Sequence, residues 1–386
     1  MKTTQRFTLL LGATLVAAST TAGTAFAQVK IGTIASSTGT VSAIGIPQRN
    51  TAMMLPEQVG DISIEYIHFD DASEPNNTVT SVKKLLSEEN VDAIIGPSGA
   101  PHAMALLDLV SEAQTPLLAP VGSISVIYPM DEKRKWVFKP TQNDSIVADK
   151  LMQHMQDNGV KTLAFIGTAD TYGETWYGVM QERLAEKGIT LVANERYNRP
   201  DTSVTGQILK IMAADPDAVL IGSPGSPAVL PQSTLFERNY GGTVYQTHGA
   251  AMNDFLRLGG KAVEGTIMGG SLMLVPDEIS DDNPSKAVAL DYMNNYNQRY
   301  GNVPATFGGN VYDAGLLLME AIPVAAEKAE PGTVEFRMAL RDALENIKEL
   351  PGTQGIYNMT ANDHSGFDER GVELITIKNG EWALVK

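Results

Sequence analysis

Short runs of β-branched and apolar residues alternate with helix-spaced apolar residues, and this alternation starts twice along the chain. In the first pass Val29–Ile34, Ile62–His68, Ala93–Gly96 and Pro116–Ala119 read as strands. Between them Val79, Val82 and Leu85, then Ala103, Leu106 and Val110, recur at helix spacing. After Trp136–Pro140 the pattern restarts, with strands at Thr162–Gly167, Ile189–Asn194, Ala218–Gly222 and Thr243–Thr247. Helices are expected between these at 173–188, 204–214 and 228–240. Repeated strand–helix–strand units demand parallel sheets covered by helices on both faces, because right-handed crossovers place a helix against the sheet each time. The fold class is therefore α/β, with two doubly wound parallel-sheet lobes in sequence. Past Gly270 come a loop at 276–284, three helices near 286–300, 307–328 and 334–347, and a terminal hairpin. Asn379-Gly380 supplies the turn of that hairpin, between Glu373–Ile377 and Trp382–Val385.

The amino-terminal 27 residues set the compartment. Lys2 and Arg6 precede an apolar run, Phe7 to Ala18, and the stretch ends in Ala25-Phe26-Ala27. This is the pattern of a secretory signal peptide (residues 1–27), cleaved after Ala27. The run is too short for a membrane span, which needs roughly 20 apolar residues. Removing 27 of the 386 residues leaves 359, beyond the ~250–300 at which one core stops growing, so two lobes are expected. The mature chain keeps 27 basic against 45 acidic side chains, a net charge of −18. Such a chain is a poor partner for nucleic acid and for anionic membranes, and no membrane insertion is expected. With no cysteine, disulfides, thiolate metal sites, a catalytic thiol and a lipid-bearing cysteine are all removed. A bacterial periplasm is the expected location. The five histidines are scattered and the glycine-rich runs have no phosphate-binding form, so neither metal nor cofactor is expected.

In open α/β sheets ligands bind beyond the carboxyl ends of the strands. The loops concerned are 35–45, 96–102 and 120–125 in the first lobe, and 168–173, 222–227 and 247–251 in the second. They supply the candidates Ser37, Ile44, Ser98, Gly99, Ala100, Val121 and Ser123, then Tyr172, Pro224, Gly225, Ser226, His248 and Gly249. In Gly96-Pro97-Ser98-Gly99-Ala100-Pro101, Pro101 suits the start of a helix, and the preceding amides with the Ser98 hydroxyl form either an anion holder or an ordinary capped turn. Ser123 also reads as a cap, Tyr172 as a pocket wall or a surface tyrosine, and His248 as a structural or a functional imidazole.

Several segments, taken in order, carry a resemblance. They are Lys30–Gly39 (KIGTIASSTG), Asp70–Pro75 (DDASEP), Val91–Pro97 (VDAIIGP), Tyr172-Gly173, Val263-Glu264-Gly265 and Phe307–Ala314 (FGGNVYDA). Together they span almost the whole mature chain and resemble the type I periplasmic solute-binding proteins of the branched-chain amino acid transporter family. The resemblance implies a hinged clamp without catalysis, working as a monomer beside the membrane permease of an ABC transporter. Lobe 1 would comprise 28–141 plus 272–350 and lobe 2 142–271 plus 351–386, joined by a three-strand hinge crossing near 140–143, 270–274 and 348–353. It also implies that Ser123 contacts the ligand carboxylate, Tyr172 supplies an aromatic from the second lobe, and Ile44 packs on the ligand.

Two departures from the family pattern bear on the ligand. Ala100 stands where amino-acid binders carry a carboxylate-holding serine, with Ser98 two residues earlier as a substitute. By the family spacing back from Glu264, His248 stands where they carry the acid that neutralises the ligand ammonium. A buried ammonium without a carboxylate costs several kcal/mol, whereas an imidazole suits an anion or a hydroxyl. Thr247-His248-Gly249-Ala250 and the Gly96–Pro101 turn resemble the subgroup that binds aromatic or other amine-free carboxylates. The expected ligand is thus a small carboxylate without an α-amino group, an aromatic acid or phenylpropanoid. The rival readings are a branched-chain or other amino acid-binding protein, a ligand-sensing subunit for a membrane receptor, and a secreted serine hydrolase. The last would use Ser98, Asp170 and His248, but Pro101 fits a nucleophile elbow poorly.

Overall fold

The computed structural model describes residues 28–386; the signal-peptide reading lies outside them. The first sheet contains β1 (Gln28–Ala35), β2 (Gln58–Val59), β3 (Ile62–Asp70), β4 (Ala93–Ile95), β5 (Leu117–Leu118) and β6 (Val137–Phe138), in the order β2-β3-β1-β4-β5-β6. All pairs are parallel except the β2–β3 hairpin. The second lobe's strands are β7 (Thr162–Thr168), β8 (Thr190–Tyr197), β9 (Ala218–Gly222), β10 (Thr243–Gln246) and β11 (Ile267–Gly270). A small pair, β12 (Leu350–Pro351) with β13 (Ile356–Tyr357), follows, and then β14 (Glu373–Lys378) and β15 (Glu381–Leu384). The second sheet runs β15-β14-β11-β10-β9-β7-β8, with β14 and β15 added antiparallel at its edge. Stripped of these additions both sheets have the same doubly wound order, second-first-third-fourth-fifth, and each has its switch point beside its first strand.

Among the described residues twelve helices cover the sheets: α1 (Ser42–Ala52), α2 (Pro75–Ser87), α3 (Ala100–Met104), α4 (Leu107–Glu112), α5 (Asp144–Asp157) and α6 (Thr171–Lys187); then α7 (Thr205–Ala213), α8 (Val229–Glu237), α9 (Asn253–Gly259), α10 (Pro284–Tyr300), α11 (Thr306–Ala326) and α12 (Val334–Glu345). Ala103 lies on α3 and Val110 on α4, with Leu106 in the break between these two short helices, rather than all three on one. The terminal hairpin turns through Asn379 and Gly380, both at positive φ, as a two-residue turn between right-twisting strands requires.

Core packing fixes the lobe boundaries. Val29, Ile31, Ile95 and Phe138 of the first sheet share one apolar cluster with Val311, Leu317 and Leu318 of α11 and Phe336 and Leu340 of α12. Tyr357, Met359 and Phe367 belong to that same cluster. Asp313 of α11 locks this segment down, accepting from Thr353 N–H (2.7 Å) and the Tyr357 hydroxyl (2.9 Å). Residues 350–367 therefore pack with the first lobe, and the chain crosses to the second only between Phe367 and β14. This corrects the crossing expected at 348–353 and the assignment of everything from 351 onward to lobe 2. The apolar residues of 356–367 follow no period, so only long-range packing reveals their lobe. The first and third crossings are stitched together: Gln142 Nε2 donates to Gly371 O (3.0 Å), Ser365 Oγ to Thr141 O (2.8 Å), and Lys139 N–H to His364 O (2.8 Å).

Candidate functional site

The two switch points face each other, and a cavity lies between them. On the first-lobe side the turn after β4 is built around Gly96, at φ +128°, where a Cβ would stand 2.2 Å from Ile34 O. Only glycine suits that conformation and that approach. Ser98 Oγ accepts the Ser36 N–H (2.9 Å), and Ser36 Oγ donates to Asp71 Oδ1 (2.6 Å), which also receives Ser73 N–H. The buried Asp71 thus holds two loops in register, and Ser98 keeps its own proton to donate. Against the upward push of its burial, Asp70 is held below the usual carboxylate range by Ala72 N–H, and then by the Thr38 hydroxyl and the Ser37 and Thr38 N–H groups.

Of the residues picked out in the sequence, Ile44, Ser98, Gly99, Ala100, Val121, Tyr172, Pro224, His248 and Gly249 line the cavity. Ser37, Ser123, Gly225 and Ser226 are not among its lining residues. Ser123 is wholly buried, with its hydroxyl bonded to Ser125 Oγ and to Thr175 Oγ1, both at 2.7 Å. Thr175 lies on α6, so Ser123 ties lobe to lobe instead of presenting its hydroxyl to the cavity. Gly225, at φ +69°, donates its N–H to Gly249 O (2.8 Å) and brings the second lobe against Ile44.

Tyr172 sits in the first turn of α6, which Asp170 caps by accepting Tyr172 N–H and Gly173 N–H. Its hydroxyl donates to Thr247 Oγ1 (2.9 Å) and accepts Gly249 N–H (3.2 Å). Burial, and after it the nearby Asp144, push this phenol far above its ordinary range, so it is neutral and engaged within its own lobe. What it gives the cavity is a ring edge.

His248 packs against the rings of Trp176 and Tyr172 (centroids 5.8 and 6.4 Å), and neither ring nitrogen has a hydrogen-bond partner among the described residues. Desolvation, reinforced by the Lys139 charge, pushes its pKa down to about 3. Its Nε2 lies 3.9 Å from Asp144 Oδ1; with the imidazole neutral this is a polar approach and not an ion pair. Asp144 lies behind His248, fully buried, and accepts Ile124 N–H (2.9 Å). Burial pushes its carboxyl up against the opposing pull of Lys139, whose ammonium, itself pushed down by burial, is held by Thr141 O and Thr141 Oγ1. Ser98, Asp170 and His248 do not form a relay: the Asp170 carboxylate binds Arg199 and the α6 cap, and His248 bonds to neither residue.

Sequence reasoning missed Arg199, Thr141, Phe307 and Asn310, which also line the cavity. Arg199 follows β8, which runs three residues further than expected, to Tyr197 paired with Thr168. Recognising that extension places the loop at 198–204 on the same side as the others. Phe307 and Asn310 lie in a segment noted for its family resemblance but given no role. The Asn310 carboxamide oxygen accepts from Gln354 Nε2. Among the lining residues there is no aspartate or glutamate, and Arg199 is the one that carries a charge.

The periplasmic binding protein profile matches residues 28–380. This chain belongs to the periplasmic binding protein family. An extracellular ligand-binding receptor from Rhodopseudomonas palustris HaA2 is 42% identical, covers 93% of this chain and 100% of its own, and superposes with a TM-score of 0.90. The Leu/Ile/Val-binding protein BraC3 of Rhizobium johnstonii is 25% identical over 354 residues, 89% of this chain and 91% of that one. The solute-binding protein of an ABC transporter from Rhodopseudomonas palustris BisB5, solved with 3,4-dihydroxybenzoic acid, shares the fold at 20% identity and a TM-score of 0.77, covering 93% and 96% of the two chains. No described helix is long and apolar enough to cross a membrane.

Proposed function

We propose that this protein is the exported solute receptor of an ABC uptake transporter. It would work as a monomer in the periplasm after cleavage at Ala27, and enclose a small carboxylate without an α-amino group, an aromatic acid or phenylpropanoid. The observation that carries the ligand class is the cavity lining. It holds no acid, and a neutral His248 stands where an ammonium would need one. Sealing an ammonium there would leave its charge unpaired, at a cost of several kcal/mol. Ile44, Val121, Pro224, Phe307 and the Tyr172 ring form apolar walls suited to a ring or a hydrocarbon tail. The same clamp would serve a receptor-linked sensor equally well.

Asp144 favours a second reading, amino acid binding. Its Oδ1 approaches His248 Nε2 to 3.9 Å and has no hydrogen-bond partner among the described residues, and the similarity to BraC3 points the same way. Against this, Asp144 lies behind His248 and already faces the Lys139 ammonium. Thermal-shift titration of the mature protein with two ligand sets separates the readings, because a ligand bound only by the folded form raises the melting temperature by mass action. Stabilisation by amine-free aromatic acids and not by leucine, isoleucine or valine is expected. Stabilisation by the amino acids alone would overturn the ligand assignment.

A further inference from the structure

Arg199 enters the cavity on the loop after β8, and its surroundings fix it there. The end of β8 is pinned by the Tyr197 hydroxyl, which donates to Pro227 O (2.9 Å). Arg199 Nε donates to Asp170 Oδ2 at 2.6 Å. That is the one guanidinium bond to a protein acceptor among the described residues, so Nη1 and Nη2 remain available on a side chain that lines the cavity. The Arg199 charge is the main influence that lowers the Asp170 carboxyl against its burial, but Asp170 has other partners as well. Its Oδ1 accepts Tyr172 N–H, Gly173 N–H and the Thr168 hydroxyl, at the amino end of the 17-residue α6 where the peptide dipoles favour an anion. The Arg199 charge is shared with Asp170, but the pair uses only Nε, and a guanidinium with five donors can engage a second carboxylate through its terminal nitrogens.

The first lobe presents a second donor to the same cavity. Ser98 Oγ accepts the Ser36 N–H, which leaves its proton directed elsewhere. Much of the remaining lining is apolar. We propose that Arg199 is the residue that selects a carboxylate in this cleft, gripping it from the second lobe through Nη1 and Nη2 while the Ser98 hydroxyl donates from the first. The anion then touches both lobes, and its charge is read by a residue that no first-lobe substitution removes. This inference rests on the amine-free carboxylate reading and names the residue that would enforce it.

Isothermal titration of the wild-type mature protein, Arg199→Gln and Arg199→Lys tests it. The probes are 3,4-dihydroxybenzoate, 3-phenylpropanoate, the primary amides of both, and leucine. Arg199→Gln is expected to bind whichever acid the wild type binds roughly 10- to 100-fold more weakly, the scale of a lost charged hydrogen-bonding partner, with amide affinity unchanged. Arg199→Lys keeps the charge but loses the fork, and its acid affinity should fall between the two. If Arg199→Gln melts lower without ligand, Arg199→Lys carries the test, and wild-type acid affinity in it overturns the two-pronged grip. Acid bound equally well by wild type and Arg199→Gln makes Arg199 only a structural partner of Asp170; the inference then fails and the amine-free reading stands. Leucine bound with none of the acids, or no binding of any probe, overturns the reading of function and this inference with it.

Discussion

Adding one methyl group at Gly122 tests whether lobe closure carries the binding energy. Gly122 belongs to the first lobe, yet a Cβ there would stand 2.7 Å from Tyr172 Cε2 and 3.0 Å from His248 Nε2, both on the second. Neither neighbour can swing away. The Tyr172 hydroxyl is held by Thr247 and Gly249, and His248 is wedged against Trp176. With the lobes apart the methyl group meets neither ring. Gly122→Ala should therefore penalise only the closed form, by about 1–3 kcal/mol, the usual cost of overpacking. The ligand-bound protein is the closed form, so the dissociation constant should rise roughly 5- to 150-fold. The melting temperature of the ligand-free variant should match that of the wild type. Titration calorimetry gives the first quantity and scanning calorimetry the second. Gly249→Ala is the control: its Cβ would lie 2.4 Å from the Tyr172 hydroxyl and 3.0 Å from Pro224 Cα, all within the second lobe. That variant should be less stable even without ligand. Unchanged affinity in Gly122→Ala, or a loss of ligand-free stability as large as that of Gly249→Ala, would refute the reasoning.

Three further outcomes follow from the geometry. Ser123→Ala removes an interlobe hydrogen bond but leaves Thr175 its bond to Thr171 O (2.7 Å), so ligand affinity should fall by about 0.5–1.5 kcal/mol with ligand-free melting unchanged; a Ser123–Thr175 double-mutant cycle with no coupling would count against it. Burial lowers the folded-state pKa of His248 to about 3, below the unfolded value of 6.5. The unfolded chain therefore takes up the proton first, and stability should decline as pH falls through 6.5 toward 3. Melting curves of His248→Gln over that window should decline less steeply than those of the wild type, and parallel curves would show that His248 titrates normally. Lys139→Met leaves Asp144 without its opposing charge and Thr141 O without its donor; by denaturant unfolding it should cost on the order of 3 kcal/mol, and a neutral result would mean the buried ammonium contributes nothing net.

The sheets were legible because their strands are buried on both faces and read as continuous apolar runs; Val219, Leu220 and Ile221 are fully buried in β9, for example. The reading of edge strand β8 stops short because Asn194, Glu195 and Arg196 are polar and break the apolar run, and a ladder that continues to Tyr197 depends on pairing with β7. Missing Glu195, Arg196 and Tyr197 hid the loop that carries Arg199. Ser123 shows a different limit. Its place after β5 could be read from spacing, but the direction of a loop hydroxyl depends on partners 52 residues away in sequence. The third crossing fails for a related reason, since Asp313 and residues 353–357 are brought together only by tertiary packing.

The internal pairing of the cleft explains why a ligand can close it. Tyr172, Thr141 and Asp170 already have their partners inside the protein, so their polar groups place little demand on an enclosed solute. The lobes also hold contacts of their own, with Thr306 Oγ1 donating to Ala251 O (3.0 Å), the Ser123–Thr175 bond, and Ile44 sharing an apolar cluster with Ala250 and Phe255. Those contacts bias the equilibrium toward closure before any solute arrives. Moving a two-state equilibrium from mostly open to mostly closed takes about 5.5 kcal/mol of differential binding, and every interlobe bond reduces what the ligand must supply. Affinity should thus be tunable at Thr306 and Ser123, which lie outside the cavity lining.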